Sequence, residues 1–263
     1  IPITYLPNAH SHNDYTRNNP FNQAYGLGFG SIEADLFLKD GDLYVAHDAH
    51  EITKERTFKK LYLEPILEAY KNSKTGYLFP NNGQLQLLID PKTEGAPILV
   101  KLTEMLKPYR DLFDSKNNPK AVKLVISGNR PKPVDFPKYD EIFTFDGNLN
   151  ETYSPKDLER IGLISASFGS ISKWNGLGRL TDRDIKIVKA KVDSVHQIGK
   201  KIRFWAAPDS KPTWYEWQKM GIDFINTDKP FELSEFLRNE PKTFYHESSP
   251  HSPYKIKDSV KLG

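Results

Sequence analysis

The stretch "SIEADLFLKDGDLYVAHD", residues 31–48, has two runs of alternating apolar and polar residues on either side of Asp40-Gly41. An Asp-Gly pair between two such runs is typical of a β-hairpin. Alternation along the first run sends the side chains of Glu33 and Asp35 to one face of the strand and the apolar side chains between them to the other face. The stretch therefore predicts a strand with a carboxylate-bearing face, followed by a strand that returns beside it.

Similar β-rich runs recur along the chain and alternate with segments whose apolar residues are spaced as in helices, such as "LYLEPILEAYKN" and "DRDIKIVKAKVDSVHQIG". Eight runs fit strands: "ITYLPNA", "GSIEADLFL", "LQLLID", "AVKLVIS", "DEIFTF", "GLISASF", "KIRFWAA" and "GIDFINTD". They predict a (β/α)8 TIM barrel over residues 1–237, with one extra hairpin strand after the second barrel strand. An open doubly wound sheet is the alternative, but no Gly-rich phosphate turn follows the first strand. Residues 238–263 have little periodicity, and we expect an irregular C-terminal extension there.

The composition disfavours a nucleic-acid-binding protein and excludes a transmembrane or disulfide-bonded one. The 37 Lys and Arg residues are interleaved with 34 Asp and Glu residues, so a nucleic-acid partner is not favoured. No apolar run reaches the roughly 18 residues that a transmembrane helix requires. The absence of cysteine excludes disulfides and thiol chemistry. The chain begins with Ile1-Pro2 and no methionine, which fits either a removed signal peptide or a trimmed chain; of the two we favour the signal peptide and expect export to the periplasm or the cell exterior.

Three carboxylates are candidates for a metal site. Glu33 and Asp35 are expected to point into the barrel, where unpaired anions are costly unless a cation neutralises them. Asp90 ends the third predicted strand in "LLIDPK" and belongs to the same rim. Oxygen ligands favour hard ions, so the three predict one divalent cation, Mg²⁺ or Ca²⁺. The alternative is an internal salt-bridge network in which the carboxylates pair with Arg203 and Lys92.

The length of the hairpin loop decides where His47 points. A two-residue loop would set Ala34 opposite His47 and turn the imidazole away from the carboxylates. A three-residue loop, Lys39–Gly41 with Gly41 in the left-handed conformation, would set Glu33 opposite His47. We predict the three-residue loop, which brings His47 to the carboxylate face.

The segment "NAHSHNDY", residues 8–15, ends the first strand and carries His10 and His12 to the same rim. Two histidines beside an oxygen-liganded cation suit cleavage of a phosphodiester. The ion offsets charge on the phosphoryl oxygens, one imidazole activates the nucleophile, and the other protonates the leaving oxygen. Either His10 or His12 could take the first of these roles, with His47 as the second imidazole.

The motifs "NAHSHNDY", "SIEADLFLKDGDLYVAHD", "LLIDPK" and "FINTDKP" resemble those of the phosphatidylinositol-phospholipase-C-like and glycerophosphodiester phosphodiesterase superfamily. Within it they are most similar to the branch named for altered inheritance of mitochondria protein 6. The resemblance implies a TIM-barrel phosphodiesterase that acts on a glycerophosphodiester- or phospholipid-like substrate. It implies that His10 and His47 are the catalytic acid–base pair, and that Glu33, Asp35 and Asp90 are the metal ligands.

The chain departs from the superfamily pattern at one position. Many relatives carry His-Arg where this chain has His10-Ser11, so an arginine that contacts the phosphate is missing, and Arg203 and Arg130 are the candidates to replace it. Trp205 in "RFWAAP" matches a Trp common on the seventh strand, although an ordinary packed aromatic residue is an equal interpretation. The residues expected to bind substrate are His12, Asn13, Lys92, Arg203 and Trp205.

Two other functions compete. A metal-dependent amidohydrolase also carries His-x-His after its first strand and an Asp after its last, here Asp228. Such a site needs histidines after the fifth and sixth strands, and "EIFTFDG" and "ISASFGS" contain none. The second alternative is a barrel that binds a phosphorylated or sugar ligand without turnover. Two bases beside a metal favour catalysis over binding alone.

Overall fold

The computed structural model describes residues 2–239, and within them nine strands form one sheet. Eight strands pair in parallel, and the first and last of these pair with each other, so the sheet closes into a barrel. The strands are β1 (Leu6–Ser11), β2 (Phe29–Lys39), β3 (Asp42–Val45), β4 (Gln86–Pro91), β5 (Lys123–Ile126), β6 (Phe143–Asn148), β7 (Ile161–Ser167), β8 (Ile202–Trp205) and β9 (Phe224–Thr227). β3 lies outside the barrel, antiparallel to β2. The TIM barrel and its extra hairpin strand are therefore confirmed.

Helices surround the barrel and follow its strands. They are α1 (Asn22–Gly26), α2 (Glu64–Asn72), α3 (Gly95–Leu106), α4 (Pro155–Leu158), α5 (Asp182–Gln197), α6 (Lys211–Met220) and α7 (Pro230–Asn239). The two clearest helical patterns correspond to α2 and α5. α7 continues through Asn239, so the helix runs two residues into the predicted extension, and the rest of that extension lies outside the described residues. No described helix has the length and apolar character that crossing a membrane requires.

The apolar residues form two layers, as the alternation predicted. The larger cluster joins the outward-facing side chains of the strands to the helices, and it includes Ile32, Ala34 and Leu36 of β2. A small cluster inside the barrel consists of Leu88, Val125, Leu163 and Phe224. Leu88 is the ladder neighbour of Glu33, so both side chains point inward. Glu33 is thus level with this inner apolar cluster, and Asp35 lies nearer the carboxyl end of the barrel.

The predicted register of the hairpin is wrong. Leu38 pairs with Leu43 and Lys39 pairs with Asp42, which leaves a two-residue loop, Asp40-Gly41. Both loop residues have positive φ, 51° and 76°, as a type I′ turn requires. Asp tolerates this left-handed conformation, and the twist of the turn matches the twist of the two strands. No third loop residue is needed.

Candidate active site

A cavity of about 530 Å³ opens at the carboxyl ends of the barrel strands. Its walls bring together the predicted metal ligands, His47 and all five residues predicted to bind substrate. The lining residues are His12, Asn13, Glu33, Asp35, His47, Asp90, Lys92, Ser127, Gly128, Arg203 and Trp205. The cavity is therefore the candidate active site, and neither His10 nor Arg130 lines it.

The three predicted metal ligands form one cluster at the floor of this cavity. Asp35 of β2 and Asp90 of β4 are ladder neighbours, and Glu33 lies two residues before Asp35 on the same face. One carboxylate oxygen from each residue lies within 4.8 Å of the others. Burial, and then the charge of Glu33, raises the pKa of Asp35 to about 7. Burial, and then the charge of Asp35, raises the pKa of Asp90 to about 6.

The cations beside the cluster neutralise it only in part. Lys92 Nζ lies 3.3 Å from Asp35 Oδ2 and 3.5 Å from Asp90 Oδ2. Arg203 Nη1 lies 3.7 Å from Glu33 Oε2, so the predicted alternative, an internal salt-bridge network, is also present. Asp35 Oδ1 nevertheless is buried and has no hydrogen-bond partner among the described residues. A buried carboxylate oxygen without a partner, in a cluster of three carboxylates, fits a hard divalent cation.

A second group within residues 2–239 also has metal-ligand spacing. It is exposed and lies on the turn after β3, where the side chains of Asp48 and Glu51 cap that turn. Neither group in this part of the chain joins His10, His12 and Asp228, the ligands that an amidohydrolase-type site would use. The second group consists of Asp48, His50 and Glu51.

His10 lies lower in the barrel than the sequence predicted. β1 begins at Leu6 and continues through Ser11, so His10 is inside the strand and is fully buried. Both ring nitrogens are engaged: Nδ1 lies 2.7 Å from Ser31 Oγ, and Nε2 lies 3.4 Å from Glu33 Oε2. Burial, and then the charge of Arg203, holds the pKa of His10 well below its usual range. A neutral His10 therefore donates Nε2–H to Glu33 and supports that carboxylate from beneath.

His12 is the first-strand histidine that reaches the cavity. It lies two residues beyond His10, so it projects to the same side one layer nearer the solvent, and its side chain is 33% exposed. His12 Nδ1 lies 2.9 Å from Asp228 Oδ1. Burial lowers the pKa of His12, but the hydrogen bond with Asp228 and the negative charges of Glu33 and Asp228 together outweigh burial and raise the pKa above its ordinary value. The pairing leaves Nε2 as the nitrogen available to a ligand.

His47 lies at the cavity although the predicted register is wrong. β3 ends at Val45, so the ladder does not set the direction of the His47 side chain. The backbone N–H of His47 instead donates to Glu51 Oε2 at 3.2 Å, within the turn that follows β3. The imidazole is 55% exposed, with Nδ1 at 4.0 Å from Asp35 Oδ2. His47 and His12 thus both border the acidic cluster.

Arg203 is the arginine that lines the cavity. It lies on β8 and is 5% exposed. Its guanidinium donates to Ser165 Oγ at 3.1 Å and to Asp146 Oδ2 at 3.5 Å. Asp146 in turn accepts hydrogen bonds from the Ser165 hydroxyl at 2.7 Å and the Ser127 hydroxyl at 2.8 Å. This network holds Arg203 beside Glu33.

Arg130, the other candidate for a phosphate contact, has a structural role. It donates to the backbone carbonyl of Asp146 and to Glu151 Oε2, the latter at 2.7 Å. Trp205, by contrast, is 46% exposed at the end of β8, so it is not an ordinary packed aromatic residue. Arg203 and Trp205 therefore line the cavity, and Arg130 does not.

Sequence reasoning missed Ser127, which lines the cavity, and also Asp146 and Ser165, which hold Arg203. Ser127 directly follows β5, and Asp146 and Ser165 each lie two residues before the carboxyl end of a strand, a signal that was available in "LVISG", "FTFDG" and "ISASF". Tyr15 is also buried beside the cluster, but nothing in the sequence indicates where its hydroxyl points. Asp14, within the histidine-rich segment, is structural, because it accepts hydrogen bonds from Ser11, Tyr62 and the Phe21 backbone.

Known proteins resemble this chain in sequence and in fold. The model of a family described as an AIM6-like phosphodiesterase domain matches residues 3–136, which include the acidic cluster and the histidines of the site. The chain is 28% identical to an altered inheritance of mitochondria protein 6 homolog of Arthroderma benhamiae, over 84% of this chain and 80% of that protein. It is 26% identical to altered inheritance of mitochondria protein 6 of Kluyveromyces lactis, over 89% of this chain and 73% of that protein.

Two solved structures have the same fold. A glycerophosphodiester phosphodiesterase from Parabacteroides distasonis superposes with a TM-score of 0.54 at 17% identity, covering 88% of this chain and 96% of the other. A glycerophosphodiester phosphodiesterase from Agrobacterium tumefaciens gives a TM-score of 0.53 at 15% identity, covering 89% and 100%. At these identities the likeness is one of fold.

Proposed function

The chain belongs to the AIM6-like phosphodiesterase domain family, and from that premise we propose that it is a metal-dependent enzyme that cleaves phosphodiesters. The substrate class is a glycerophosphodiester or a phospholipid with a similar head group. The observation that carries the proposal is the cluster of three carboxylates, two of them buried, in which one Asp35 oxygen has no hydrogen-bond partner among the described residues and which two imidazoles border. The cavity that contains this cluster has a volume of about 530 Å³, which is ordinary for a small-molecule site.

Glu33, Asp35 and Asp90 would hold one divalent cation, Mg²⁺ or Ca²⁺. When bound, the cation supplies positive charge that offsets the charge developing on the phosphoryl oxygens. The carboxylate oxygens suit a hard ion, and Asp35 Oδ1 is buried with no hydrogen-bond partner among residues 2–239. Arg203 and Lys92 add two fixed cations at the same wall, so that a phosphodiester anion is attracted to the cluster.

We assign the two proton transfers to His12 and His47. A group that moves a proton must reach the reacting atom, and both of these imidazoles line the cavity. Asp228 holds Nδ1 of His12, so Nε2 can take a proton from the attacking hydroxyl, while His47 protonates the leaving oxygen. The resemblance implied His10 in place of His12. We assign His10 the role of orienting Glu33, because His10 is fully buried and both of its nitrogens are engaged.

The attacking group is either water or a hydroxyl of the substrate next to the phosphate. Internal attack releases a cyclic phosphate, whereas attack by water releases a linear monoester. The exposed ring of Trp205 gives the cavity an apolar wall for the glycerol or acyl part of the substrate.

The test is turnover of a panel of glycerophosphodiesters and lysophospholipids, followed by phosphorus NMR, with Mg²⁺, with Ca²⁺ and with EDTA. We expect cleavage with a divalent ion, none in EDTA, and a product that identifies the nucleophile. No phosphodiester turnover with any ion, together with hydrolysis of an amide or lactone with Zn²⁺, would contradict the proposal in favour of an amidohydrolase. Ligand binding without turnover of any substrate would contradict it in favour of a binding barrel.

A further inference from the structure

The hydroxyl of Tyr15 lies between the acidic cluster and His47. It is 2.6 Å from Asp35 Oδ2 and 3.1 Å from His47 Nδ1. Tyr15 is only 1% exposed, and its backbone carbonyl accepts a hydrogen bond from Arg56. The ring is therefore held firmly, and its oxygen touches a predicted metal ligand and a predicted proton carrier at once.

A phenol hydroxyl has one proton, so it can donate to only one of these neighbours. A carboxylate oxygen can only accept, and Asp35 Oδ2 is also the nearest of them, nearer than the amide oxygen of Asn13 at 2.9 Å. The proton of Tyr15 therefore goes to Asp35. The contact with His47 then requires that Nδ1–H of the imidazole donates to the phenol oxygen. In neutral His47 this leaves Nε2 unprotonated and free for the cavity, so Nε2 is the atom that binds the proton which His47 gives to the leaving oxygen.

The Tyr15 hydroxyl also makes the two carboxylate oxygens of Asp35 differ in their contacts. Oδ2 contacts both Tyr15 and Lys92, whereas Oδ1 is buried and has no partner among the described residues. Holding Oδ2 on one side leaves Oδ1 as the atom available to a cation. Partners of this kind orient metal ligands and usually affect metal affinity.

We propose that Tyr15 is a positioning residue that couples the metal site to the acid–base pair, by holding Asp35 through one hydrogen bond and setting the tautomer of His47 through another. The inference rests on the proposed function for its consequence, because the coupling matters only if a cation and His47 act on one substrate. The hydrogen-bond arrangement itself is measurable without substrate.

The chain offers a matched control in Tyr62. Its hydroxyl also donates to a buried carboxylate, Asp14 Oδ2, at 2.8 Å, and its ring is fully buried. Asp14 holds the loop after β1 and does not line the cavity. Tyr62→Phe and Tyr15→Phe therefore delete the same group from similar surroundings, once away from the site and once beside it.

The experiment compares the full chain with Tyr15→Phe and Tyr62→Phe in three measurements. Calorimetric titration with Mg²⁺ and with Ca²⁺, without substrate, should give a Kd about tenfold weaker for Tyr15→Phe, the lower end of the range for such partners. Nitrogen-15 NMR of labelled histidines at about pH 8.5, where an ordinary histidine is neutral, should find His47 protonated on Nδ1 in the wild type and a mixture in Tyr15→Phe. In turnover, kcat of Tyr15→Phe should fall by about tenfold with KM unchanged. Tyr62→Phe should leave all three as in the wild type.

Wild-type metal affinity and wild-type histidine spectra in Tyr15→Phe would overturn the inference, even if phosphodiester turnover establishes the proposed function. A wild-type chain with neither metal binding nor turnover would instead defeat the proposed function, and the Nδ1–H signal of His47 would still test the contact with Tyr15. The wild-type spectrum alone also decides the case if Tyr15→Phe does not fold. A dominant Nε2–H form of His47 would overturn the inference.

Discussion

Two buried carboxylates on different strands of the barrel, Asp146 of β6 and Asp35 of β2, differ in how completely they are partnered. Asp146 accepts a serine hydroxyl on each oxygen and lies 3.5 Å from the guanidinium of Arg203. In Asp35, Oδ2 has partners, and Oδ1 has none among the described residues. Burial raises the pKa of both groups.

The difference teaches that burial alone does not mark a ligand site. A buried carboxylate whose lone pairs are all used is part of the framework, because a cation would have to displace existing donors. A buried carboxylate with an unused oxygen beside two others is destabilised until a cation arrives. The histidines divide in the same way, since His10 has both nitrogens engaged and His12 has one facing the cavity.

The largest effect should follow from Asp35→Asn. The amide cannot serve as an anionic ligand, so turnover should fall by about 10³-fold, since a metal supplies several kcal/mol of transition-state stabilisation. In EDTA at pH 8 the thermal unfolding temperature should stay the same or rise, because the amide removes an incompletely paired buried charge. Steady-state kinetics and thermal unfolding check the two parts. A large fall in unfolding temperature with turnover intact would make Asp35 a framework residue.

Asp146→Asn should behave in the opposite way. It removes the buried carboxylate that Arg203 faces, so the free energy of unfolding should fall by about 3 kcal/mol, as for other broken buried pairs. Urea denaturation measures this change. The affinity for Mg²⁺ or Ca²⁺ should change little, because Asp146 is not in the acidic cluster. If Asp146→Asn were as stable as the wild type but bound metal more weakly, Asp146 would not be a framework residue, and the contrast with Asp35 would be wrong.

Glutamine substitutions compare the histidines at similar volume. His12→Gln and His47→Gln should each lower turnover by about 10²-fold, the usual scale for losing a general acid or base. His10→Gln should cost less in turnover and more in unfolding temperature, since its partners are buried inside the barrel. The measurements are kcat and thermal unfolding on all three variants. If His10→Gln cost more turnover than His12→Gln, the role implied for His10 by the superfamily would stand.

The smallest effect is a change of stability with pH. Without a cation, the pKa of Asp35 is about 7 and that of Asp90 about 6, both above their ordinary value. Between about pH 4 and pH 7 the folded chain thus holds protons that the unfolded chain has released, so the free energy of unfolding falls as pH rises. Added Ca²⁺ or Mg²⁺ must displace these protons, so it should stabilise the chain more at pH 8 than at pH 5. Thermal unfolding with EDTA and with excess metal tests this, and equal stabilisation at both pH values would contradict it.

Much of the fold was predictable because strand periodicity is a local property. Each barrel strand falls on a run with apolar alternation or continuous apolar character, and alternation alone places Glu33 and Asp35 on one face. Asp90 followed from its position at the end of a strand. These features depend on neighbours along the chain, which is why the sequence indicates the acidic cluster.

The position of His47 was predicted for the wrong reason. The Asp40-Gly41 turn sets a register that would turn the imidazole away, yet the strand ends at Val45, where the backbone N–H donates to the Arg56 carbonyl at 2.8 Å. The residue at which a strand ends depends on hydrogen-bond partners more distant in the sequence, such as Arg56, and the alternation of apolar residues does not indicate them. The same applies to His10, which the longer β1 keeps inside the barrel.

By itself, the sequence determined the barrel, the hairpin and the carboxylates that face inward, because side-chain direction in a strand follows from the alternation of residues. Only the tertiary structure decided which of these groups are fully partnered. Tyr15 comes from the turn after β1 and Asp35 from β2, while Asp146 and Arg203 come from β6 and β8. Closure of the barrel brings these elements together, and a hydrogen bond between distant segments leaves no pattern along the chain. That Asp35 Oδ1 has no partner among the described residues, and that His12 Nε2 is available to a ligand, therefore follows only from the folded structure.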